Sequence, residues 1–465
     1  MATDAVHPIP GVPGLPGFPD GFLWGVSTSA HQIEGAADER EPSVWDVFSA
    51  EPGRIKDGST AAVACDHYHR HREDVALLAG LGVDAYRFSV SWPRVRSAGG
   101  LDFYDRLVDE LCAAGVRPVP TLFHWDLPTA LQTVSDGGSA AGGGWLERDT
   151  AARFADYVST VADRLGDRVK KWITLNEPAE HTLFGHALGA HAPGLQLMFD
   201  ALPAAHHQLL AHGLAVQALR AAGAADIGIA NSHGPTWPAS QEPADLEAAG
   251  FYDLLLNRLF AEPVLLGEYP DGMGELMPGD VAADLKVIAE PLDWYGVNYY
   301  APTKVGAPQG AEIEFGGLTL PAELPFSVQD IEGVPVTDFG WPVVPEGLTE
   351  LLTGFRDRYG DRLPPIVITE NGCSYQGLDD QDRIAYLDGH IRALHRAVEA
   401  GVDVRGYFVW SLLDNFEWAE GYARRFGLVH VDYDTQARTP KSSYGWFRDL
   451  IRAQRLQAQR FQARG

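Results

Sequence analysis

The chain has 465 residues, with 36 Lys and Arg against 63 Asp and Glu, giving a formal net charge of −27. The acidic residues are spread along its length, which makes a solvated surface that repels nucleic acid and anionic lipid and excludes both as partners. No run approaches the roughly 18 to 20 uninterrupted apolar residues of a membrane span, and a chain this long suits one elaborated barrel as well as several small domains.

Residues 1–17, rich in Pro and Gly, read as a flexible N-terminal segment without the basic-then-apolar pattern of a secretory signal. Strand-like runs then recur at Phe22 to Ser27, Ala85 to Ser89, Val116 to Phe123, Lys171 to Leu175, Ile227 to Asn231, Asp293 to Asn298, Pro365 to Thr369 and Tyr407 to Trp410. Between them lie stretches with apolar residues three and four apart. These are Tyr68 to Leu81, Leu101 to Ala114, Asp149 to Leu165, Leu202 to Ala222, Pro345 to Tyr359 and Asp380 to Ala400. Eight β-then-α units imply an α/β fold, a single-domain (β/α)8 TIM barrel over residues 18–455 with elaborated barrel-top loops, followed by a tail at 456–465. Two insertions interrupt the frame. Thr133 to Gly144, nearly all Ser, Ala and Gly, is expected to be a mobile surface loop, and Gly306 to Gly340 is a long, poorly periodic connection of the kind that is functional or disordered.

Two motifs at strand ends carry the chemistry. Lys171-Trp172-Ile173-Thr174-Leu175 leads through Asn176 into Glu177, and Pro365-Ile366-Val367-Ile368-Thr369 leads into Glu370. Loops leaving the carboxyl ends of barrel strands line the site, so both carboxyl groups are placed for paired acid/base or nucleophilic work. Glycoside hydrolysis is the reaction that most directly needs two carboxyl groups facing one bond. Other strand ends offer Gln32, Arg87, His124-Trp125-Asp126, Asn298, Tyr300, Trp410 and Glu417-Trp418. That mixture suits a neutral sugar, whose hydroxyls need donors and acceptors while its C–H faces pack on aromatic rings.

From Phe18 to about Trp446 the chain resembles the family 1 glycoside hydrolases, typified by β-glucosidases. The resemblance is carried by Phe22-Leu23-Trp24-Gly25, Gln32-Ile33-Glu34-Gly35, Tyr86-Arg87-Phe88-Ser89, His124-Trp125-Asp126-Leu127-Pro128, the two Glu motifs, and Leu412-Leu413-Asp414-Asn415-Phe416-Glu417-Trp418. It implies a retaining β-glucosidase acting on terminal β-D-glucosyl residues by double displacement, with Glu370 as nucleophile and Glu177 as acid/base. Arg87, Asn298 and Tyr300 would support the nucleophile, and Asn176 would bond the sugar 2-hydroxyl. Gln32, His124, Trp125, Glu417 and Trp418 would bind the sugar, with Trp410 beneath it, Phe426 closing its far side and Trp341 facing the leaving group. Expected substrates are small β-glycosides such as cello-oligosaccharides or aryl and alkyl glucosides.

The chain departs from the family pattern at Ala179, where Trp is frequent, at the short stretch Pro93 to Leu101, and at the enlarged Thr133 to Gly144. All three bear on the leaving group. A carboxylate at Glu417 would repel phosphate, so phosphorylated sugars are disfavoured. The alternatives are a broader galactoside or fucoside hydrolase, a transglycosidase, a catalytically silent sugar-binding barrel and a metal-assisted hydrolase. His67, His69 and His71 stand at alternate positions of a helix, where only His67 and His71 share a face, so they and His206 and His207 read as surface histidines, with no metal or cofactor implied. Three cysteines, Cys65, Cys112 and Cys373, form neither a metal motif nor a disulfide framework and point to a cytoplasmic, reducing location.

Overall fold

Eight parallel strands close on themselves in chain order: β1 Leu23–Ser27, β2 Ala85–Ser89, β3 Arg117–Thr121, β4 Lys171–Asn176, β5 Asp226–Ser232, β6 Tyr295–Asn298, β7 Ile366–Asn371 and β8 Val404–Trp410. Each pairs with the next, and β1 pairs with β8 to complete the barrel. The computed structural model describes residues 17–134, 140–315 and 318–462. All eight expected strands are present, with ends displaced by a few residues; most of the expected N-terminal segment lies outside the described residues.

The helices follow from their stripes. In α3, Asp149–Leu165, the buried residues Phe154, Tyr157, Val158, Val161, Ala162 and Leu165 fall at three and four, so one face packs inward and the rest stays polar. Burying each of the larger side chains stabilises the packing by about 1.5–3 kcal/mol. The other outer helices are α1 His67–Leu81, α2 Gly100–Ala113, α4 Leu202–Ala221, α5 Val281–Ile288, α6 Pro345–Tyr359, α7 Gln381–Glu399 and α8 Ser442–Gln462. The boundary expected at residue 455 falls inside α8. Among the described residues, no helix is long and apolar enough to cross a membrane.

The two insertions are more ordered than expected. Thr303–Gly306 joins Thr236–Pro238 and Ser327–Gln329 in a three-stranded sheet, and Ile313–Phe315 pairs with Leu318–Leu320. Gln132–Val134 pairs with Ala140–Gly143, while residues 135–139 of the expected mobile loop lie outside the described residues. The histidine reading needs correction. His67 and His71 are 2% and 8% exposed, not surface residues, because they lie on the inner face of α1. His67 Nδ1 lies 2.8 Å from Asp74 Oδ2 and His71 Nδ1 lies 3.2 Å from the Tyr68 carbonyl, so each inner ring has a partner within its own helix. His206 and His207 are also buried, with His206 Nε2 3.0 Å from Asp284 Oδ2.

The barrel interior is stratified. Its lower part is an apolar cluster of Ala85, Val119, Ile173, Ala230, Trp294, Val367 and Phe408. Gly25 leaves room for the Phe408 ring, since a Cβ there would sit 2.3 Å from it. Above this cluster the inward residues turn polar: Arg87, Thr121, Asn176, Asn298 and Thr369 are all buried, and each is hydrogen-bonded. An apolar floor beneath a satisfied polar layer places the charged chemistry at the carboxyl ends of the strands.

Candidate active site

Both glutamates reach the cleft through local irregularity. In β7, Val367 belongs to the barrel cluster, so strict alternation would turn Glu370 outward; the register shifts after Ile368 in both flanking pairings. In β4, Ile173 faces inward and the register shifts between Ile173 and Asn176. Such bulges re-aim side chains beside active sites. Beyond β4, Glu177 adopts φ 45°, a left-handed conformation, and Trp125 and Trp418 do so at φ 72° and 50°. All three line one cavity, where strain of order 1–3 kcal/mol each is held by surrounding contacts.

That cavity has a volume of about 270 Å³. Its wall includes Glu177, Glu370, Tyr300, His124, Trp125, Trp341, Trp410, Glu417, Trp418 and Phe426, among the residues expected from the sequence. Arg87, Asn176, Asn298 and Gln32 stand one layer behind it. The structure therefore brings every expected residue to one place, sorted into a wall and its supports.

The two carboxyl groups are held differently. Glu370 is 3% exposed; its Oε1 accepts from Arg87 Nη1 at 2.6 Å, and its Oε2 accepts from the Tyr300 hydroxyl at 2.7 Å. Arg87 also donates to the Thr369 carbonyl at 3.0 Å, to Thr121 Oγ1 at 3.1 Å and to Asn176 Oδ1. Glu177, 6% exposed, is bonded by neutral amides: Asn298 Nδ2 donates to Oε1 at 2.9 Å and Asn176 Nδ2 to Oε2 at 3.1 Å. Burial pushes both carboxyl groups up. At Glu370 the Arg87 guanidinium and the Tyr300 hydroxyl oppose that push. At Glu177 the nearby charges of Glu370 and Glu180 add to burial and hold it well above the usual carboxyl range, against the Asn298 bond and the Arg87 charge.

Around this pair the sugar-facing groups are preset. Burial and the Arg87 charge hold His124 well below the usual imidazole range, so it is neutral. Its Nε2 lies 3.1 Å from Asn176 Nδ2, which donates, so Nδ1 carries the ring proton. Nδ1 is buried with no protein hydrogen-bond partner. Gln32 has its amide spent on the protein: Nε2 donates to Asn415 Oδ1 at 3.1 Å, the Phe416 carbonyl at 3.0 Å and Glu417 Oε2 at 3.3 Å. It thus orients Glu417, whose carboxyl burial, Glu370 and Glu420 push up to about 8.

Aromatic residues fix the shape. Trp418 lies stacked on His31 at 5.8 Å and packs against Trp45 and Trp125 at 4.4 and 4.8 Å. Trp410 lies near-parallel to His124 at 5.8 Å. Trp341 stacks on Phe339 at 4.3 Å and meets Phe426 at 5.9 Å, forming a flat wall at the mouth. Gly372 after the second Glu motif is required by close approach, since a Cβ there would fall 1.7 Å from the Trp410 carbonyl oxygen. Asp126 has both oxygens buried outside this wall, and burial pushes its carboxyl up to about 8.

Reading the strand ends missed Glu180, Ser232, Tyr252 and Glu420, all of which line the cavity. Glu180 stands three beyond Glu177 in the helical turn that opens at Pro178. Ser232 ends β5, a strand whose end the sequence reading left without a site residue.

Comparison with known proteins gives a consistent result. A sequence model described as "Glycosyl hydrolase family 1" matches residues 16–456. The chain is 45% identical to a psychrophilic β-glucosidase from Micrococcus antarcticus, whose solved structure superimposes with a TM-score of 0.87 over 94% of this chain and 98% of that one. A β-glucosidase from Thermotoga maritima, solved in complex with deoxynojirimycin, superimposes with a TM-score of 0.85 at 41% identity over 94% and 98% of the two chains. A bifunctional β-D-glucosidase/β-D-fucosidase of Bifidobacterium breve is 42% identical over 465 aligned positions, covering 93% of this chain and 98% of that protein.

Proposed function

The chain belongs to glycosyl hydrolase family 1, and from that premise we propose that it is a retaining β-glucosidase in which Glu370 is the nucleophile and Glu177 the acid/base. The observation that carries this division of roles is the unequal grip on the two carboxyl groups. Glu370 is bound by a guanidinium and a phenol, which favour its ionised form, whereas Glu177 has only neutral amide donors to offset burial and a negative neighbour, and those two favour its neutral form.

The chemistry then runs in two displacements. Glu370 attacks the anomeric carbon while Glu177 gives its proton to the glycosidic oxygen, so the carbon–oxygen bond breaks and a neutral alcohol leaves. Esterification removes the charge on Glu370, and with it one of the causes holding Glu177 neutral. Glu177, now a carboxylate, takes a proton from water as the water oxygen attacks the anomeric carbon and Glu370 departs as an anion. Arg87 and Tyr300 receive the carboxylate back, and Asn176, one layer behind the wall and bonded to Arg87 and His124, is the proposed partner of the sugar 2-hydroxyl.

The sugar is a terminal β-linked glucose, supported by the names of the relatives, and the bifunctional relative supports tolerance of fucosides. Substrates are small β-glycosides. Cys65 and Cys373 are buried free thiols and Cys112 is an exposed one, which supports a cytoplasmic location. Two variants test the roles. Glu370→Gly should lose hydrolysis and, with azide, form the α-glucosyl azide; Glu177→Ala should still cleave glucosides with very acidic leaving groups and form the β-azide. The same anomer from both variants would refute the division, and a nitrophenyl fucoside cleaved far faster than the glucoside would replace glucose as the preferred sugar.

A further inference from the structure

We propose that Glu180 selects the leaving group, accepting hydrogen bonds from the hydroxyls of a second sugar whose ring lies against Trp341. The inference rests on the β-glucosidase reading and extends it to the departing half of the substrate.

Glu180 lies in the helical turn Pro178–Glu180 that follows Glu177, so the chain carries it away from the end of β4 beside the acid/base. It lines the catalytic cavity with Ser232, Tyr252 and Asn257, and the Ser232 hydroxyl faces its carboxyl group. Ser232 ends β5, which pairs with β4, the strand that leads into Glu177, and is not a neighbour of β8. The carboxyl therefore sits on the Glu177 side of the cleft, away from the sugar-facing set at the end of β8. Because the acid/base touches the glycosidic oxygen, a group beyond it on that side meets what leaves.

The other carboxyl groups of the wall are already engaged. Glu370 pairs with Arg87, and Glu420 with Lys56 and with Arg424 at 3.0 Å. Glu177 and Glu417 are bonded by the amides of Asn298, Asn176 and Gln32. Glu180 has the Ser232 hydroxyl nearby, and among the described residues no Lys, Arg or His nitrogen lies within 4.0 Å of its carboxylate. A carboxylate can accept about four hydrogen bonds, so most of its capacity is open toward the cavity. No Lys or Arg lines that wall, which disfavours an anionic leaving group. Trp341 and Phe339 supply the flat apolar surface that a sugar's C–H face needs. Ala179, small and buried beside Glu180, takes no part in that wall.

The test compares kcat/KM for cellobiose and for p-nitrophenyl β-glucoside, which share the cleaved glucose and differ in whether the leaving group carries hydroxyls. In the full chain with Glu180→Ala, the cellobiose-to-nitrophenyl ratio should fall about tenfold or more, as expected for a lost charged hydrogen bond, with the selective loss mainly in KM. Glu180→Gln keeps a carbonyl acceptor in the same place and should hold the ratio within about threefold. An unchanged ratio in both variants, or equal losses on both substrates, would overturn the proposal. So would a glucoside with an ammonium-bearing leaving group losing more than cellobiose, since the site would then read charge instead of hydroxyls. A wild-type chain inactive on both glucosides would defeat the β-glucosidase reading itself, a failure distinct from any change in ratio.

Discussion

Replacing Tyr300 by Phe removes one of the two donors that hold Glu370 ionised and leaves the rest of the ring in place. The phenol donates to Oε2 at 2.7 Å, and the Arg87 guanidinium holds Oε1 at 2.6 Å. Burial already pushes the Glu370 carboxyl up, and Arg87 and Tyr300 act against it. A hydrogen bond to a charged group stabilises by about 1.5–3 kcal/mol, and one pKa unit corresponds to about 1.4 kcal/mol. Losing the phenol therefore raises the nucleophile's pKa by about 1 to 2 units. The sign is set by which form the bond favours: Tyr300 bonds the anion, so its loss favours the protonated, inactive form. Initial rates on p-nitrophenyl β-glucoside at low substrate, measured across pH, report the free enzyme. The acidic limb of kcat/KM should move to higher pH by about 1 to 2 units, while the basic limb, governed by Glu177, moves less. An acidic limb that stays in place, or moves to lower pH, would refute the assignment of Tyr300 to the nucleophile.

Three further outcomes follow from the same contacts. Glu370→Gln removes the negative neighbour that helps keep Glu177 protonated, so a carbon-13 titration of the Glu177 carboxyl should show its pKa falling, though burial keeps it raised; no movement would break the electrostatic link between the pair. Glu34→Ala leaves Arg94 without the carboxylate it meets at 2.7 Å and Tyr104 without its 2.6 Å acceptor, both buried. Breaking such a buried pair costs about 3–5 kcal/mol, read as a lower denaturation midpoint in urea, and a loss under about 1 kcal/mol would show the residual charge is resolvated. Exhaustive dialysis against a chelator should leave the nitrophenyl glucoside rate unchanged, whereas loss restored by a divalent cation would favour a metal-assisted hydrolase.

The barrel was legible because each strand is a short apolar run bounded by loop residues, and because the helices carry wide stripes. α3 was found with both ends in place, since its inward residues repeat without interruption. The region between β5 and β6 was not read as helix for physical reasons. Pro243–Asp253 buries only Ala248 and Ala249, the chain then passes through a π-turn at Leu254–Arg258, and Leu259–Leu265 carries Pro263 inside it. No clean periodicity survives that sequence of changes. α8 carries a buried set at Tyr444, Phe447, Leu450 and Ile451 and runs past the boundary expected at residue 455. The buried histidines of α1 were misplaced for a related reason: a polar side chain on the inner face looks like a surface residue until its partner, Asp74 for His67 and the Tyr68 carbonyl for His71, is seen.

At the site, residue types at strand ends were enough to find the wall, but not its layering. Gln32 looked like a sugar ligand, yet its amide is occupied by Asn415, Phe416 and Glu417, partners more than 380 positions away. The left-handed backbones of Trp125, Glu177 and Trp418 contradict local preference and are imposed by tertiary packing, so no local pattern announces them. The ordering of proton affinities was half legible. Two facing glutamates imply that one is raised, but which one depends on Arg87 and Tyr300 both lying on Glu370.

The retaining double displacement through Glu370 is tested most directly by proton NMR of a p-nitrophenyl β-glucoside digest, recorded before mutarotation scrambles the product. The account requires β-glucose as the first anomer released. Initial α-glucose would contradict it, because a single displacement by water would then replace the covalent intermediate and Glu370 would no longer be the nucleophile.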